Sequence, residues 1–211
     1  MLLAMIGSLA ATAKAETLNS VVASVGDDAI TRRDLIEEYH FERFLEGKAP
    51  AGDPSPEESK DALSRLISQK LLAEQMQQPE RSSKNGAKSA ADTLKGIREK
   101  FPNPAAYLAA LQLLGMTEPQ VLKRLELYER TLQMINNRLR AAALPDPSEV
   151  EDYYKNTFVP EYAKAHAGPP PALDNIREQI NEILVQKKMN VLLDNWLDRL
   201  KSTHRVTIHT D

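Results

Sequence analysis

Cysteine is absent from the 211-residue chain, and aromatic side chains are scarce, at 5% of the residues with a single tryptophan. The lack of cysteine excludes disulfide bonds, thiolate metal ligands and cysteine nucleophiles. It does not fix the compartment, because a helical domain of this size is stable without disulfides. Hydrophobic residues still make up 42% of the chain. We therefore expect a sizeable core built mainly from Leu, Ile, Val, Ala and Met.

An excess of basic charge is also missing. The chain has 27 Lys and Arg against 30 Asp and Glu, a formal net charge of -3, and the two signs are interspersed along the sequence. Nucleic-acid binding depends on clustered positive charge. We therefore expect no nucleic-acid partner.

Long hydrophobic runs are missing except near the N-terminus, where residues 2–13 are apolar or small. This run is too short to cross a bilayer, which needs about 20 residues, so we expect no stable membrane insertion. Ala13-Lys14-Ala15 is a small-x-small cleavage site. Residues 1–15 are therefore interpreted as a cleaved secretory signal, the alternative being an apolar N-terminal helix that packs on the domain.

A strand, a tight turn and a capped helix are predicted for residues 21–46. Valines mark a short strand over residues 21–25, and Gly26 with two aspartates forms the turn. Thr31 is placed to cap the helix, and Asp34 completes a variant of the capping box. Residues 205–209 alternate like a half-buried strand. Because an isolated strand needs a partner, we expect both ends of the mature chain to meet in one small sheet.

The rest of the sequence is typical of helices separated by proline and glycine. Periodicity predicts helices over residues 32–46, 57–76, 90–100, 104–114 and 118–142, a further helix that Ser148 caps with Glu151 at the capping-box position, and a long final helix from Leu173. Residues 77–88 are interpreted as an exposed loop. The helix over 118–142 carries a narrow seam typical of a bundle, formed by Val121, Leu125, Tyr128, Leu132, Ile135 and Leu139. The predicted fold class is mainly α, with a small β-sheet formed by the N-terminal hairpin and the C-terminal strand.

The sequence contains no recognisable catalytic constellation. The four histidines, His40, His166, His204 and His209, do not have the spacing of a metal site. Adjacent carboxylates suit turns and helix faces better than acid–base catalysis. Phosphate loops, dinucleotide fingerprints and nucleophile elbows are absent from the sequence. We expect no catalytic residue, no metal ion and no cofactor.

Four segments carry the motifs of a known family. They are Ala23-x-Val25 with Ile30-Thr31-x-x-Asp34-Leu35, the helix pair over residues 104–140 with its junction Leu114-Gly115-Met116-Thr117, the lead over residues 147–154 (PSEVEDYY), and the final helix and strand over 173–208. In this order and spacing they resemble the SurA/PpiD/PrsA group of extracytoplasmic folding factors. The resemblance implies a SurA-type helical chaperone domain.

The parvulin-type prolyl isomerase domain of that group has no counterpart in this sequence. Residues 158–166 resemble its first segment, but the proline run 169–171 leads directly into the final helix. Because the apolar proline pocket is missing, His166 is interpreted as non-catalytic and the protein as not an enzyme. The implied domains are a signal peptide (1–15), an N-terminal helical chaperone domain (16–147), a helix and Pro-rich connector (148–171), and a C-terminal helix and strand that pack back on the N-terminal domain (172–211).

The resemblance implies an ATP-independent periplasmic chaperone that binds unfolded secreted or outer-membrane proteins. Such a protein needs exposed apolar surface. The candidate peptide-binding residues are Phe41, Phe44, Leu45, Leu113, Leu114 and Met116. For each of them the alternative is burial in the domain's own core. Two other functions stay open, a non-catalytic scaffold for one dedicated envelope partner and a prolyl isomerase with an unrecognised site, and the sequence also leaves homodimerisation open.

Overall fold

The computed structural model describes residues 18–76 and 84–209, without the side chains of 84–88. The elements are β1 (Val21–Val25), β2 (Asp28–Thr31), α1 (Arg32–Leu45), α2 (Pro56–Gln75), α3 (Lys84–Lys100), α4 (Pro104–Leu114), α5 (Glu118–Leu139), a 3-10 turn (Arg140–Ala143), α6 (Pro147–Tyr153), a π turn (Tyr154–Phe158), α7 (Val159–Ala165), α8 (Leu173–Thr203) and β3 (Val206–Ile208). The predicted fold class, mainly α with one small sheet, is confirmed. The predicted signal over residues 1–15 lies outside the described residues.

The sheet joins the two ends of the described chain, as predicted. Its strand order is β2-β1-β3, and both pairings are antiparallel. Ala23 on the central strand pairs with Ile30 on one side and Ile208 on the other. Ala23 and Ile30 are fully buried, whereas Ile208 is 56% exposed. Strands β1 and β2 therefore contribute to the core, whereas β3 forms the other edge of the sheet with its side chains largely in solvent.

Two compact units are defined by contacts within the chain. Unit 1 holds the described residues up to Thr131 together with those from Leu200 onward, and unit 2 holds Leu132–Arg199. The division falls inside α5 and α8, so both helices contribute residues to both units. The domain boundary that the sequence predicts after residue 147 falls at the start of α6, within unit 2.

Local capping explains where several helices begin. The Asp34 backbone N–H donates to Thr31 Oγ1 at 3.2 Å, and the Thr31 N–H donates to Asp34 Oδ2 at 2.8 Å, which confirms the predicted capping box of α1. The predicted Ser148 cap is wrong. Asp146 is the N-cap of α6, and its N–H donates to Glu149 at 2.7 Å. Pro147 explains this start, because proline favours the first helical position and the cap must precede it.

Two other expectations are corrected. Helix α3 begins at Lys84, six residues before the predicted Ala90, so the interpretation of residues 84–88 as loop is wrong. Gly86 costs such a helix only about 1 kcal/mol relative to alanine, and burial of Ala90, Leu94 and Ile97 favours the helix. Residues 77–83 of that predicted loop lie outside the described residues. The α5 seam is not continuously buried, because Tyr128 is 58% and Leu132 is 42% exposed.

The core of unit 1 is centred on three aromatic rings. Phe44 from α1, Phe101 after α3 and Tyr107 from α4 have pairwise centroid distances of 5.5–5.7 Å. Aromatic side chains at this spacing contribute packing energy beyond their buried area. The ring cluster therefore fixes the position of α4 against α1 and α3. Other buried members of the same cluster are Phe41, Ala90, Leu94, Ile97, Ala110, Leu111, Val121 and Leu125.

Unit 2 combines a small apolar core with ion pairs at its surface. Ile180 and Val185 of α8 are buried, and so is Val150 of α6. Arg138 stacks on the Trp196 ring, with its guanidinium carbon 4.4 Å from the ring centroid. Arg140 donates two hydrogen bonds to Glu182, at 3.1 and 2.7 Å. These contacts hold the end of α5 and the 3-10 turn against α8.

Candidate functional site

Helix α4 has no charged side chain. Its sequence is PAAYLAALQLL. Asn103 caps the helix by accepting the Ala106 N–H at 2.8 Å, and Pro104 occupies the first turn. Gly115 ends the helix with φ +69°, a left-handed conformation that glycine adopts without steric cost. The boundaries of α4 are thus set by its own sequence, and its lack of charge sets it apart from a typical surface helix.

One face of α4 is buried and the opposite face is exposed. Tyr107, Ala110 and Leu111 pack into the core of unit 1. On the opposite side, Leu108 is 56% and Leu113 is 59% exposed. The exposed positions, which we call the α4 outer face, are Pro104, Ala105, Leu108, Ala109, Gln112 and Leu113. A helix exposed on one side normally carries polar residues there, whereas this face has only Gln112.

The six sequence-predicted binding residues do not form one surface. Phe41 is 4% and Phe44 is 0% exposed, so the expectation that they contact a peptide is corrected. Both side chains point into the core because α1 packs against the ring cluster. Leu45, Leu114 and Met116 are half-buried and pack against the same core. Leu113 alone among the six is largely exposed, and it lies on the α4 outer face.

Sequence reasoning missed Leu108, the second large residue of the α4 outer face. Two signals in the sequence could have found it. Residues 104–114 carry no charge, and Leu108 lies five residues before Leu113. This spacing puts the two side chains about 140° apart around the helix, at the two edges of its exposed side. The sequence-predicted residues therefore include only Leu113, near the C-terminal end of this face.

A hydrogen-bonded triad holds α4 next to α3 and α5. The Tyr107 hydroxyl donates to Glu118 Oε1 at 2.8 Å, and Arg98 Nη2 lies 2.5 Å from the same oxygen. The hydrogen bond from Arg98 is the main cause that lowers the pKa of Glu118, and the bond from Tyr107 adds to it. Glu118 is also in the first turn of α5, where negative charge is favourable. The triad keeps α4 in place without using any group of its outer face.

A second polar cluster connects α1, α2 and α5. Glu38 is 1% exposed, and Gln69 donates to its Oε1 at 2.9 Å while Arg124 donates to its Oε2. The Arg124 guanidinium also lies over the Phe41 ring, 3.8 Å from its centroid. Arg65 comes within ion-pair distance of Glu38 and of Glu42, at 3.9 and 3.7 Å. Burial raises the pKa of Glu42, more strongly than the Arg65 charge lowers it.

Both carboxylate oxygens of Glu38 are therefore occupied by partners from other helices. A general base needs an oxygen that can reach a substrate proton. A buried carboxylate held by two fixed donors instead specifies how the helices pack, since leaving it unpaired is costly. The cluster is best explained as a structural connection among three helices of unit 1.

Residues 18–76 and 84–209 contain no group of three or more His, Asp or Glu side chains arranged to hold a metal ion. Within the same ranges, no helix combines the length and the apolar character needed to cross a bilayer. The nearest His–carboxylate pair is His204 Nε2 and Glu74 Oε2 at 3.1 Å, a contact that supports the end of α8 within unit 1.

An open groove lies in each of the two units. The groove of unit 1 has a volume of about 410 Å³ and lies between Val22, Leu35 and Pro54, with Arg32 as its charged side chain. The groove of unit 2 has a volume of about 470 Å³ and includes Asp174, Arg177 and Glu178. Arg177 is paired with Asp174 at 3.2 Å. The lining of neither groove places a Ser, Thr or Lys nucleophile beside a histidine or carboxylate base.

Comparisons with known proteins give no match for this chain, either among protein-family models, among curated proteins or among solved structures. The SurA-type relationship stays a prediction from sequence motifs.

Proposed function

We propose that this protein binds exposed apolar segments of unfolded polypeptides and acts as an ATP-independent chaperone in the periplasm, with secreted or outer-membrane proteins as clients. The observation that supports this function is the α4 outer face, where two leucines more than half exposed lie on a helix without charge. Exposed apolar patches of this kind indicate contact with another molecule. The periplasmic location is supported by the signal-like residues 2–15 alone.

The geometry favours weak and reversible binding. Full burial of one leucine side chain yields about 1.5–3 kcal/mol, whereas micromolar affinity corresponds to about -8 kcal/mol. Two leucines that are already partly buried therefore supply less than half of that free energy. The remaining free energy would come from burial of the flanking alanines and of the client's own apolar side chains. A surface that relies on apolar area and not on directed hydrogen bonds accepts many sequences.

Binding to a panel of unrelated peptides distinguishes a general chaperone from the alternative, a scaffold for one dedicated partner. We expect unrelated unfolded peptides to bind with roughly micromolar dissociation constants, and the affinity to follow their apolar and aromatic content. Leu108→Gln and Leu113→Gln should each weaken all peptides together. Val191→Gln is the matched control, because Val191 is 60% exposed but lies on α8 in unit 2.

The panel has clear contrary outcomes. Binding of one peptide with no signal for the others would identify a dedicated scaffold, because specificity is a difference between affinities. Equal loss of binding in Val191→Gln would show that the α4 outer face is not the site. A proline-peptide isomerisation assay tests the non-enzymatic part of the proposal, and acceleration that survives His166→Ala would reveal an unrecognised active site.

A further inference from the structure

Unit 2 carries a row of four aromatic rings along one helical run. The rings belong to Tyr154, Phe158, Tyr162 and His166, and successive centroids are 5.8, 5.7 and 4.3 Å apart. Tyr154, Phe158 and Tyr162 are half-buried, and His166 is exposed. Each of these residues therefore keeps part of its surface in solvent. We call this set the aromatic row.

A π turn keeps the first two rings of the row in register. Four residues exceed one turn of an α-helix, which takes 3.6 residues, so side chains spaced by four drift around a regular helix. The turn Tyr154–Phe158 is a wider π turn, which counters that drift over the first step of the row. The Tyr154 and Phe158 rings stack at an interplanar angle of 17°. Single π turns are rare and frequently occur at functional sites.

The chain's own proline run already contacts one end of the row through Pro171. The Tyr154 hydroxyl donates to the Pro171 carbonyl oxygen at 2.8 Å. Pro170 and Pro171 are half-buried, and they belong to the proline run between α7 and α8. A polyproline II helix has no internal hydrogen bonds, so its carbonyl groups accept from outside. Domains that bind proline-rich peptides use aromatic-lined grooves for such segments.

We propose that the aromatic row is a binding site for proline-rich segments in the polyproline II conformation, and that residues 169–171 are an internal occupant which an external segment displaces. The spacing of the rings supports this ligand class. Polyproline II rises about 3.1 Å per residue, so the steps of 5.8 and 5.7 Å each correspond to about two residues of ligand. The last step, 4.3 Å from Tyr162 to His166, is shorter, so the first three rings define this repeat. The row lies entirely in unit 2. This site is thus separate from the α4 outer face and does not rest on the chaperone proposal.

The test is a titration with fluorescent decaproline, with a glycine–serine peptide of equal length as the control ligand. A triple variant, Pro169→Ser, Pro170→Ser and Pro171→Ser, removes the internal occupant. We expect it to bind decaproline about threefold to tenfold more tightly than the native chain, because residue 171 keeps its carbonyl group but serine no longer holds the segment in the polyproline II conformation that presents this acceptor to Tyr154. Far-UV circular dichroism and Trp196 fluorescence check that the triple variant is folded.

Tyr154→Phe provides a second, sharper readout. In the triple variant it should weaken decaproline binding by about threefold to tenfold, since the hydroxyl donor is lost from the external complex. In the native chain it should change the affinity little, because the internal and external segments lose the same bond. Tyr128→Phe is the matched control, since Tyr128 is 58% exposed and lies in unit 1. It should leave binding unchanged in both backgrounds.

Three results would overturn the proposal. The first is equal affinity of the triple variant for decaproline and for the glycine–serine peptide. The second is unchanged decaproline affinity when the three prolines are replaced, which would show that they do not occupy the site. The third is a triple variant that self-associates in sedimentation experiments and does not respond to decaproline, which would make a second copy of this chain the partner of the row.

Discussion

Gly47, which follows α1, is the position at which the structure makes its sharpest prediction about stability. Its φ is +77°, and an added Cβ would lie 2.5 Å from Lys100 Cβ and 2.9 Å from the Lys100 carbonyl oxygen. Rotation of the Lys100 side chain cannot relieve these contacts, because both atoms are fixed by the backbone. Gly47→Ala therefore combines left-handed strain with a clash between the end of α1 and the end of α3.

The magnitude follows from the two effects. Left-handed backbone costs an alanine about 1–2 kcal/mol, and an overpacked contact costs about 1–3 kcal/mol. The loss of unfolded-state freedom returns about 0.4–1 kcal/mol. We expect Gly47→Ala to lower the free energy of unfolding by about 2–4 kcal/mol. Gly52→Ala is the matched control, because Gly52 has φ +80° with nothing within 4 Å of the added Cβ.

Urea unfolding followed by far-UV circular dichroism measures both variants. Gly52→Ala should cost about 1 kcal/mol, since strain alone remains. The difference between the two variants isolates the clash with Lys100. Equal destabilisation by Gly47→Ala and Gly52→Ala would refute the close approach of the two helix ends.

Three further predictions test other parts of unit 1. Glu38→Ala should lower the free energy of unfolding by about 2–4 kcal/mol, because it leaves Arg124 and Gln69 without their buried acceptor. Glu46→Ala, which removes an exposed ion pair with Lys48, should cost less than about 1 kcal/mol, and similar losses in the two variants would contradict the structural role of the Glu38 cluster. The pKa of Glu118 lies below its ordinary value of 4.5, so the stability that ionised Glu118 contributes is present above that pH and is lost as the pH falls through the lowered pKa. Glu118→Gln should therefore flatten the acid denaturation curve in that pH range, and an unchanged acid transition would contradict the triad. Deletion of residues 205–211 should lower the free energy of unfolding by about 2 kcal/mol, because Val206 is half-buried and the His209 N–H donates to the Val22 carbonyl oxygen. The loss is smaller than that of two buried aliphatic side chains, since Ile208 is 56% exposed. An unchanged melting temperature would contradict the pairing of β3 with β1.

Local sequence patterns predicted the elements whose causes are local. The Thr31 capping box, the glycine end of α4 and the strand over residues 21–25 each depend on a few adjacent residues. The pairing of β3 with β1 was also predictable, because few other segments resemble strands. Ser148 was misassigned as a cap although Pro147 before it favours the first position of the helix. The sequence contains the local signal for the correct cap, which is Asp146 directly before that proline.

The parts that were not predicted depend on tertiary contacts. Periodicity shows which side of α5 is apolar, but it does not show that Tyr128 and Leu132 stay exposed while Val121 is covered. The same limit applies to Phe41 and Phe44, whose burial depends on residues more than fifty positions away, such as Phe101. The π turn at Tyr154–Phe158 has no signature in the sequence. The α4 outer face was visible only as an uncharged stretch, and its exposure had to come from the structure.

The most direct test of the proposed chaperone function is an aggregation assay. A urea-unfolded outer-membrane protein is diluted into buffer without ATP, and its aggregation is followed by light scattering. The native chain should suppress scattering in proportion to its concentration. The double variant Leu108→Gln and Leu113→Gln should lose most of this effect while keeping its unfolding midpoint, and Val191→Gln should retain it. No suppression by the native chain, or full suppression by the double variant, would contradict the proposal that the α4 outer face holds unfolded polypeptides.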